Sequence, residues 1–338
     1  MRTLIIGLGR MGERHLQNAI ELGLKIEALF DVNLSRLKEI KARYNLDENV
    51  KLLHTPLQLE SLTEIDFVVI ATNADLHLKY VKICSNIDGL KKILCEKPLA
   101  TSVVDCNKIS AICHEKNIDI AVNHQMRFME QYTLPKKLIE SEELGPLVSV
   151  TVNAGNFGLA MNGTHYFEAF KFINSCDIAS VSAHLDEELV PNPRGSQYSD
   201  AAGLITIFNE NGVALNLNSR AGQGHGLIAI YFCRNGFIIV DELAGNLSYQ
   251  YRDEEFRSLP TTRYGCSYKE KSIKIKPADA LLPSRNVMET LLSGGDYPTD
   301  IDGTSAVKTL IAAHHSSTLQ GKLVVLNEID IYKTLPIA

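Results

Sequence analysis

No run of lysines or arginines occurs in the 338-residue chain, whose formal net charge is −6. That excludes nucleic acid and an anionic membrane surface as the main partner, because both recognise clustered positive charge. No apolar stretch approaches the ~20 residues that span a bilayer. The apolar run in "MRTLIIGLG" is too short for the core of a signal peptide and is broken by glycines. A cytoplasmic protein is expected. The seven cysteines (84, 95, 106, 113, 176, 233 and 266) include no C-x-x-C pair, so they are expected to be reduced thiols, mostly small core residues. Cys106, Cys113 and His114 come nearest to a zinc pattern, but they lie seven to eight positions apart along a helix. They read as structural, and no metal is expected. Tryptophan is missing altogether, and there is no internal repeat or low-complexity segment.

What is present is an ordinary globular composition, 45% apolar and 22% charged. The length exceeds what one core supports, so two domains are expected. Apolar runs at 3–6, 25–31, 50–53, 66–72, 91–95 and 119–122 read as strands. Helices read between them: one after "GLGRMG", then 35–44 with Ser35 as N-cap, 76–85 and 103–117. Alternating elements with continuous apolar strands indicate a parallel sheet covered on both faces. Residues 1–122 are therefore expected to form a doubly wound α/β nucleotide-binding domain. After Asn123 the grammar changes. A helix over about 129–140 and a strand at 147–155 precede two hairpins, 203–208/213–219 and 227–233/237–242, and a strand at 246–252. Residues 123–338 are expected to form an α+β domain with a large, mainly antiparallel open sheet. The stretch 252–285 yields no assignment. Residues 302–322 read as an amphipathic helix that packs back on the first domain.

Gly7, Gly9 and Gly12 form G-x-G-x-x-G between a strand and a helix. The first glycine allows a tight turn, the second lets backbone approach a pyrophosphate, and the third lets helix and strand pack closely. The pyrophosphate then rests on unpaired N–H groups at the helix N-terminus, with Arg10 and Met11 in the same loop. An ordinary strand-to-helix turn is the simpler reading, and the flanking elements argue against it. Asp31 ends the second strand nineteen positions after Gly12. A carboxylate there accepts both adenosine-ribose hydroxyls and repels a 2′-phosphate, so NAD is expected over NADP; a turn or capping aspartate is the alternative. Arg36 would partly reverse that preference, although as a first-turn helix residue it reads as solvated. His15 reads as a packing residue or as one that supports the site from behind.

"LCEKPL" (94–99) ends the fifth strand with two opposite charges, Glu96 and Lys97. "IATNADLH" (70–77), with Thr72, Asn73 and His77, follows the fourth. Strand C-termini of an open parallel sheet border the cofactor crevice, so both loops are expected at the nicotinamide end. Glu96 and Lys97 read either as a salt-bridged pair or as a lysine set to handle a proton.

"GLGRMGERH", "DFVVIATNADLH", "CEKPLA" and "NHQMRF", in that order, with the closing "DGTSAVKTLIAAHHSSTLQGK", resemble the glucose–fructose oxidoreductase/inositol dehydrogenase family (Gfo/Idh/MocA) through the whole chain. The resemblance implies a Rossmann domain and a second domain whose sheet mediates a homodimer or homotetramer. It implies hydride transfer between a nicotinamide and a hydroxyl-bearing carbon of a sugar, cyclitol or nucleotide-linked sugar. It also places Lys97 near the reacting hydroxyl and the nicotinamide, with Glu96 as its orienter. Alcohol oxidation needs a base, and burial beside a cationic nicotinamide would lower the lysine pKa toward that use. The Lys97–Pro98 bond is a candidate for the cis form.

Members of the family commonly carry Asp-x-x-x-His at a helix start, the histidine being the acid/base. "AMNGTHYFEAF" (160–170) keeps Gly163 and His165 but has Met161 at the aspartate position. Asn162 is then a substrate donor, and Glu168 a candidate to orient the ring; a satisfied, buried helix histidine is the other reading of His165. Asn73 stands where a proline is usual, while His77 keeps its place and reads mainly as a helix-start structural residue. Asn123 and Arg127 are expected to face the substrate, Arg127 either pairing with a substrate oxygen or tying the domains together. Two other functions share these motifs. One is an NAD-dependent glycoside hydrolase or lyase with transient redox, for which Met161 leaves no extra acid/base group. The other is a non-enzymatic cofactor-sensing regulator, against which the retained Glu96, Lys97 and His165 speak.

Overall fold

The six apolar runs of the N-terminal part pair as one sheet. In the computed structural model, which describes the chain except residues 156, 188–197, 199, 221, 262–266, 280, 336 and 338, they are β1 (Arg2–Ile6), β2 (Lys25–Phe30), β3 (Lys51–Leu53), β4 (Phe67–Ile70), β5 (Lys92–Cys95) and β6 (Asp119–Val122). Their order is β3-β2-β1-β4-β5-β6, and every pair is parallel. Helices α1 (Arg10–Glu21), α2 (Leu34–Arg43), α3 (Pro56–Glu60), α4 (His77–Cys84) and α5 (Val103–Glu115) connect them. β4 is buried along its whole length and β5 in all but its first residue, which is why these strands read as unbroken apolar runs. Strand order reverses between β1 and β4, and such a switch point is where an open α/β sheet binds a dinucleotide. The expected α/β class and doubly wound topology are thus present.

By contacts the chain divides into two compact units. The first comprises Met1–Gln125, Ala280–Lys308 and Asp330–Ala338, and the second Met126–Asp279 and Thr309–Ile329. Backbone hydrogen bonds explain why the first unit draws on distant chain. Val122 N–H donates to Pro298 O (2.8 Å), Val104 N–H to Ile331 O (3.0 Å) and Leu335 N–H to Thr101 O (3.0 Å). These pair backbone groups at the edge of the sheet and at the start of α5 that would otherwise be orphaned. The N-cap of α2 is Asn33 rather than Ser35. Asn33 Oδ1 accepts the N–H groups of Ser35 (3.1 Å) and Arg36 (3.2 Å), the two positions an N-cap side chain reaches, so the helix begins one residue earlier than expected.

The second unit carries α6 (Glu130–Ile139), α7 (Thr164–Asn174) and strands β7 (Leu147–Ala154), β8 (Ile178–Leu185), β9 (Gly203–Asn209), β10 (Ala214–Ser219), β11 (Ile228–Cys233), β12 (Gly236–Asp241), β13 (Asn246–Arg252), β14 (Tyr268–Lys274) and β15 (Val324–Val325). They form one nine-stranded sheet, ordered β14-β13-β12-β11-β7-β10-β9-β8-β15. All pairs are antiparallel except β7 with β10. Both expected hairpins, β9/β10 and β11/β12, form. β14 lies in the stretch that sequence left unassigned: "YKEKSIK" is exposed in all but one residue, an edge strand protected by charge, with no buried period to read. Two helices remain, α8 (Leu281–Ser293) and α9 (Asp300–Thr318). α9 was expected to be amphipathic, yet Thr309, Leu310, Ile311, Ala312 and Ala313 are all buried in succession. Five consecutive residues span more than a full turn, so this part of the helix is covered all round rather than along one stripe. Among the described residues, no helix is long and apolar enough to cross a membrane.

Candidate active site

The glycine loop has the geometry that its spacing implies. Gly7 has φ +85, and a Cβ there would stand 2.7 Å from Ala71 O and 3.1 Å from Thr72 Cγ2. Only glycine adopts such a backbone without strain, and the contact sets the loop after β4 directly beside it. A Cβ at Gly12 would fall 1.7 Å from Gly7 O, so the third glycine is required for close packing of α1. At Gly9 a Cβ meets nothing within 4 Å. Gly9 is the N-cap of α1, and the space above it lies where the helix's first N–H groups point outward. An anion fits there, and a pyrophosphate is the anion that this loop accommodates. Arg10 is exposed beside it and Met11 is half-buried.

Asp31 lies at the same end of the sheet. Its Oδ2 accepts Leu8 N–H (2.7 Å) and its Oδ1 accepts Asn33 N–H (2.9 Å). The turn role and the ribose role are compatible, because each oxygen retains a second lone pair for a hydroxyl. Arg36 is not solvated as expected. Its Nε donates to Leu8 O (3.0 Å), and its other nitrogens bind Glu39 (3.1 Å) and Glu13.

Behind the lysine stands a buried carboxylate. Glu96 is 3% exposed. Its Oε1 lies 2.7 Å from His15 Nε2 and 2.8 Å from Asn123 Nδ2, and its Oε2 accepts the Lys97 backbone N–H at 3.3 Å. Burial alone would raise this carboxyl's pKa. The bond to His15, its charge, the Lys97 charge and the Asn123 bond overcome that and hold it at about 2. An ionised carboxylate only accepts, so His15 carries its proton on Nε2. Asn123, expected at the substrate, lies behind Glu96 and also donates to Ser284 Oγ (3.2 Å). Lys97 itself is half-buried, and Lys97–Pro98 is cis as anticipated. Thr72 and Asn73 directly follow β4, and Thr72 Oγ1 donates to Asn73 O (3.4 Å). His77 is fully buried, with Nδ1 3.1 Å from Leu99 O and Nε2 3.0 Å from Thr72 O. It therefore joins the loop after β4 to the chain beyond the lysine, which is the structural reading.

In the second unit His165 is 5% exposed on the first turn of α7. Arg127 pairs with Glu168: its Nε donates to Glu168 Oε1 (2.8 Å), Nη2 binds the same oxygen, and the guanidinium lies 5.2 Å from the Phe172 ring centroid. Glu168 is correspondingly committed to Arg127. Asn162 donates from Nδ2 to Phe157 O (2.6 Å).

Sequence reasoning missed two carboxylates here. Asp200, 3% exposed, accepts the N–H groups of Ala160 (2.8 Å) and Met161 (2.9 Å). A carboxylate thus does approach position 161, but from a distant residue that no local spacing reveals. Glu242 is 2% exposed and accepts hydroxyls from Tyr132 (2.9 Å) and Tyr166 (3.0 Å). Burial pushes its carboxyl up to about 7 against those two bonds. The available signal was an acid ending an apolar strand, the same signal that drew notice to Glu96. Tyr166 also lines a cavity of about 310 Å³ with Met126, Phe157, Asn162, His225 and Leu243, at the lower end of ligand-pocket sizes. Among the described residues, no group of three or more His, Cys, Asp or Glu is placed to hold a metal.

A dinucleotide loop at the switch point of a six-stranded parallel sheet, with a lysine at a strand end of that sheet, defines a nicotinamide-binding oxidoreductase. Residues 1–124 match the model of the oxidoreductase family with an NAD-binding Rossmann fold. The chain is 25% identical over 264 residues to the myo-inositol 2-dehydrogenase of Thermotoga maritima, covering 72% of this chain and 76% of that one. It superposes with a TM-score of 0.78 on an oxidoreductase from Agrobacterium radiobacter in complex with NAD+, L-tartaric acid and magnesium, at 16% identity over 97% of this chain and 98% of that one. It superposes with a TM-score of 0.77 on a super-repressor mutant of Gal80p from Saccharomyces cerevisiae, at 14% identity over 98% and 99%. At those identities the two structures speak for the fold alone. Residues 1–124 thus carry the NAD-binding Rossmann domain of the Gfo/Idh/MocA oxidoreductase family.

Two glycine substitutions separate packing from cofactor binding. Gly12→Ala is expected to cost at least ~1–3 kcal/mol, the usual price of overpacking, because the new Cβ meets backbone. Gly9→Ala is expected to leave unfolding by urea unchanged while weakening NAD in calorimetry. Glu242 predicts a pH effect. Between its ordinary 4.5 and its folded value of about 7, the folded state binds more protons than the unfolded, so this residue makes stability fall as pH rises. Glu242→Gln should remove that slope, read by urea unfolding at the two ends of the window.

Proposed function

We propose that this chain is an NAD-dependent dehydrogenase that oxidises a secondary alcohol of a cyclitol or sugar, with Lys97 and His165 as its proton-handling residues. The observation that carries the reading is the Glu96 cluster. An ionised carboxylate, buried and held by His15 and Asn123, binds the backbone N–H of the lysine at the end of β5. That bond fixes the backbone of Lys97 at the strand end, and the Lys97 charge lies near enough to help hold Glu96 ionised. The resemblance to myo-inositol 2-dehydrogenase supports the substrate class.

NAD, when bound, supplies the hydride acceptor. The N–H groups at the start of α1 hold its pyrophosphate, and Asp31 takes the ribose hydroxyls. Lys97, in its neutral form, accepts the alcohol proton as the carbon loses hydride. His165, which has no aspartate at 161, is the second candidate for that proton. The half-exposed face of the nine-stranded sheet, with Leu204, Ile230, Phe232 and Phe237 on one side of it, fits a homodimer or homotetramer interface. Light scattering reading a monomer at working concentration would remove that assignment.

Net formation of NADH with a panel of cyclitols and sugars is the primary test. Lys97→Met and His165→Asn are each expected to lower turnover by ~10²–10⁴-fold, the range of general acid–base groups, with thermal stability retained. If His165→Asn instead loses stability and keeps its turnover, His165 is structural. NAD binding with no NADH formed on any alcohol would sink the dehydrogenase reading.

A further inference from the structure

Arg36 lies at the ribose corner, yet its charge is already spent. We propose that Glu13 determines the cofactor preference of this protein, by holding Arg36 in an ion-pair cluster that denies it to a 2′-phosphate. The inference rests on the dinucleotide reading of the first unit and adds a residue outside the glycine signature and the ribose aspartate.

Arg36 Nε is fixed on Leu8 O (3.0 Å), and Leu8 N–H is fixed on Asp31 Oδ2 (2.7 Å). One residue of the glycine loop therefore separates the guanidinium from the carboxylate that reads the ribose. An arginine in that place is well suited to a phosphate, because its planar fork matches phosphate oxygens. Here both terminal nitrogens are occupied: Nη1 binds Glu39 (3.1 Å) and Nη2 binds Glu13. Arg43 binds the same two glutamates, and Tyr44 Oη donates to Glu13 Oε1 (3.3 Å). Two arginines and two glutamates cancel. Asp31 is left as the uncompensated charge at the ribose, and the local field repels a 2′-phosphate.

Glu13 is the controlling member of this cluster. Its side chain is 18% exposed against 51% for Glu39, so its charge is less screened by solvent and salt. Burial would raise its carboxyl, but the bonds from Arg43 and Arg36 hold it below the usual range. It also sits on the first turn of α1 while both arginines sit on α2, so it alone ties them to the helix that carries the pyrophosphate site.

Calorimetric titration of NAD and NADP into the full chain and its variants tests the assignment. Glu13→Gln should shift the affinity ratio toward NADP by roughly tenfold, the scale of one charge acting near a protein surface. The shift should shrink as salt is raised and vanish when Arg36→Leu is added. Glu13→Ala, which leaves no buried amide between the arginines, must move the ratio the same way. An unchanged ratio with NAD bound normally overturns the proposal. So does equal weakening of both dinucleotides, or a shift that survives Arg36→Leu. A parent protein that binds neither dinucleotide would instead overturn the cofactor reading on which the proposal rests.

Discussion

Burying an ionised carboxylate costs several kcal/mol unless partners replace the water it loses, and Glu96 meets that demand from four places in the chain. His15 comes from α1, Asn123 from the residue after β6, Ser284 from α8 by way of Asn123, and the last contact is the backbone of Lys97 itself. The helix that presents the pyrophosphate site and the strand that presents the lysine are thereby locked to the same charge. Glu242 shows that partners rather than depth decide the outcome. It is as deeply buried as Glu96, but its donors are two neutral phenols, and its carboxyl is pushed up to about 7 while that of Glu96 is held at about 2.

The second unit arranges its charges by the same rule. Arg127 and Glu168 neutralise each other against the Phe172 ring. Asp200 stops the first turn before α7 from leaving two N–H groups orphaned. These contacts hold His165 on a turn capped from outside the helix, in a chain where the helix supplies no carboxylate at position 161.

Much of the fold was legible because it is local. Strand alternation, the three glycines and the two hairpin turns are periodic or contiguous signals, and each has a direct physical cause in backbone geometry. What escaped reading depends on pairing across long sequence separations. Nothing near His15 says that its partner is Glu96, and nothing near Arg127 points to Glu168. Asn123 was expected at the substrate because the chain leaves the nucleotide-binding domain there; the structure shows its amide nitrogen on Glu96 and Ser284. Ser35 was read as the cap of the second helix, although the Asn33 side chain is the one that reaches the free N–H groups. β14 and the amphipathic reading of α9 failed for opposite reasons: the strand buries almost nothing, and the middle of the helix, which was itself legible, buries every side.

The nucleotide-binding unit closes on itself only with help from far along the chain. Pro298 caps the edge of β6, Ile331 and Leu335 satisfy the entry to α5, and Ser284 completes the hydrogen bonds around Asn123. During synthesis the six strands leave the ribosome long before these residues do. The nascent sheet must therefore wait, with β6 unpaired at its edge and Glu96 lacking one layer of its support, until the second unit's strands have been made. An excised N-terminal fragment would be caught permanently in that waiting state.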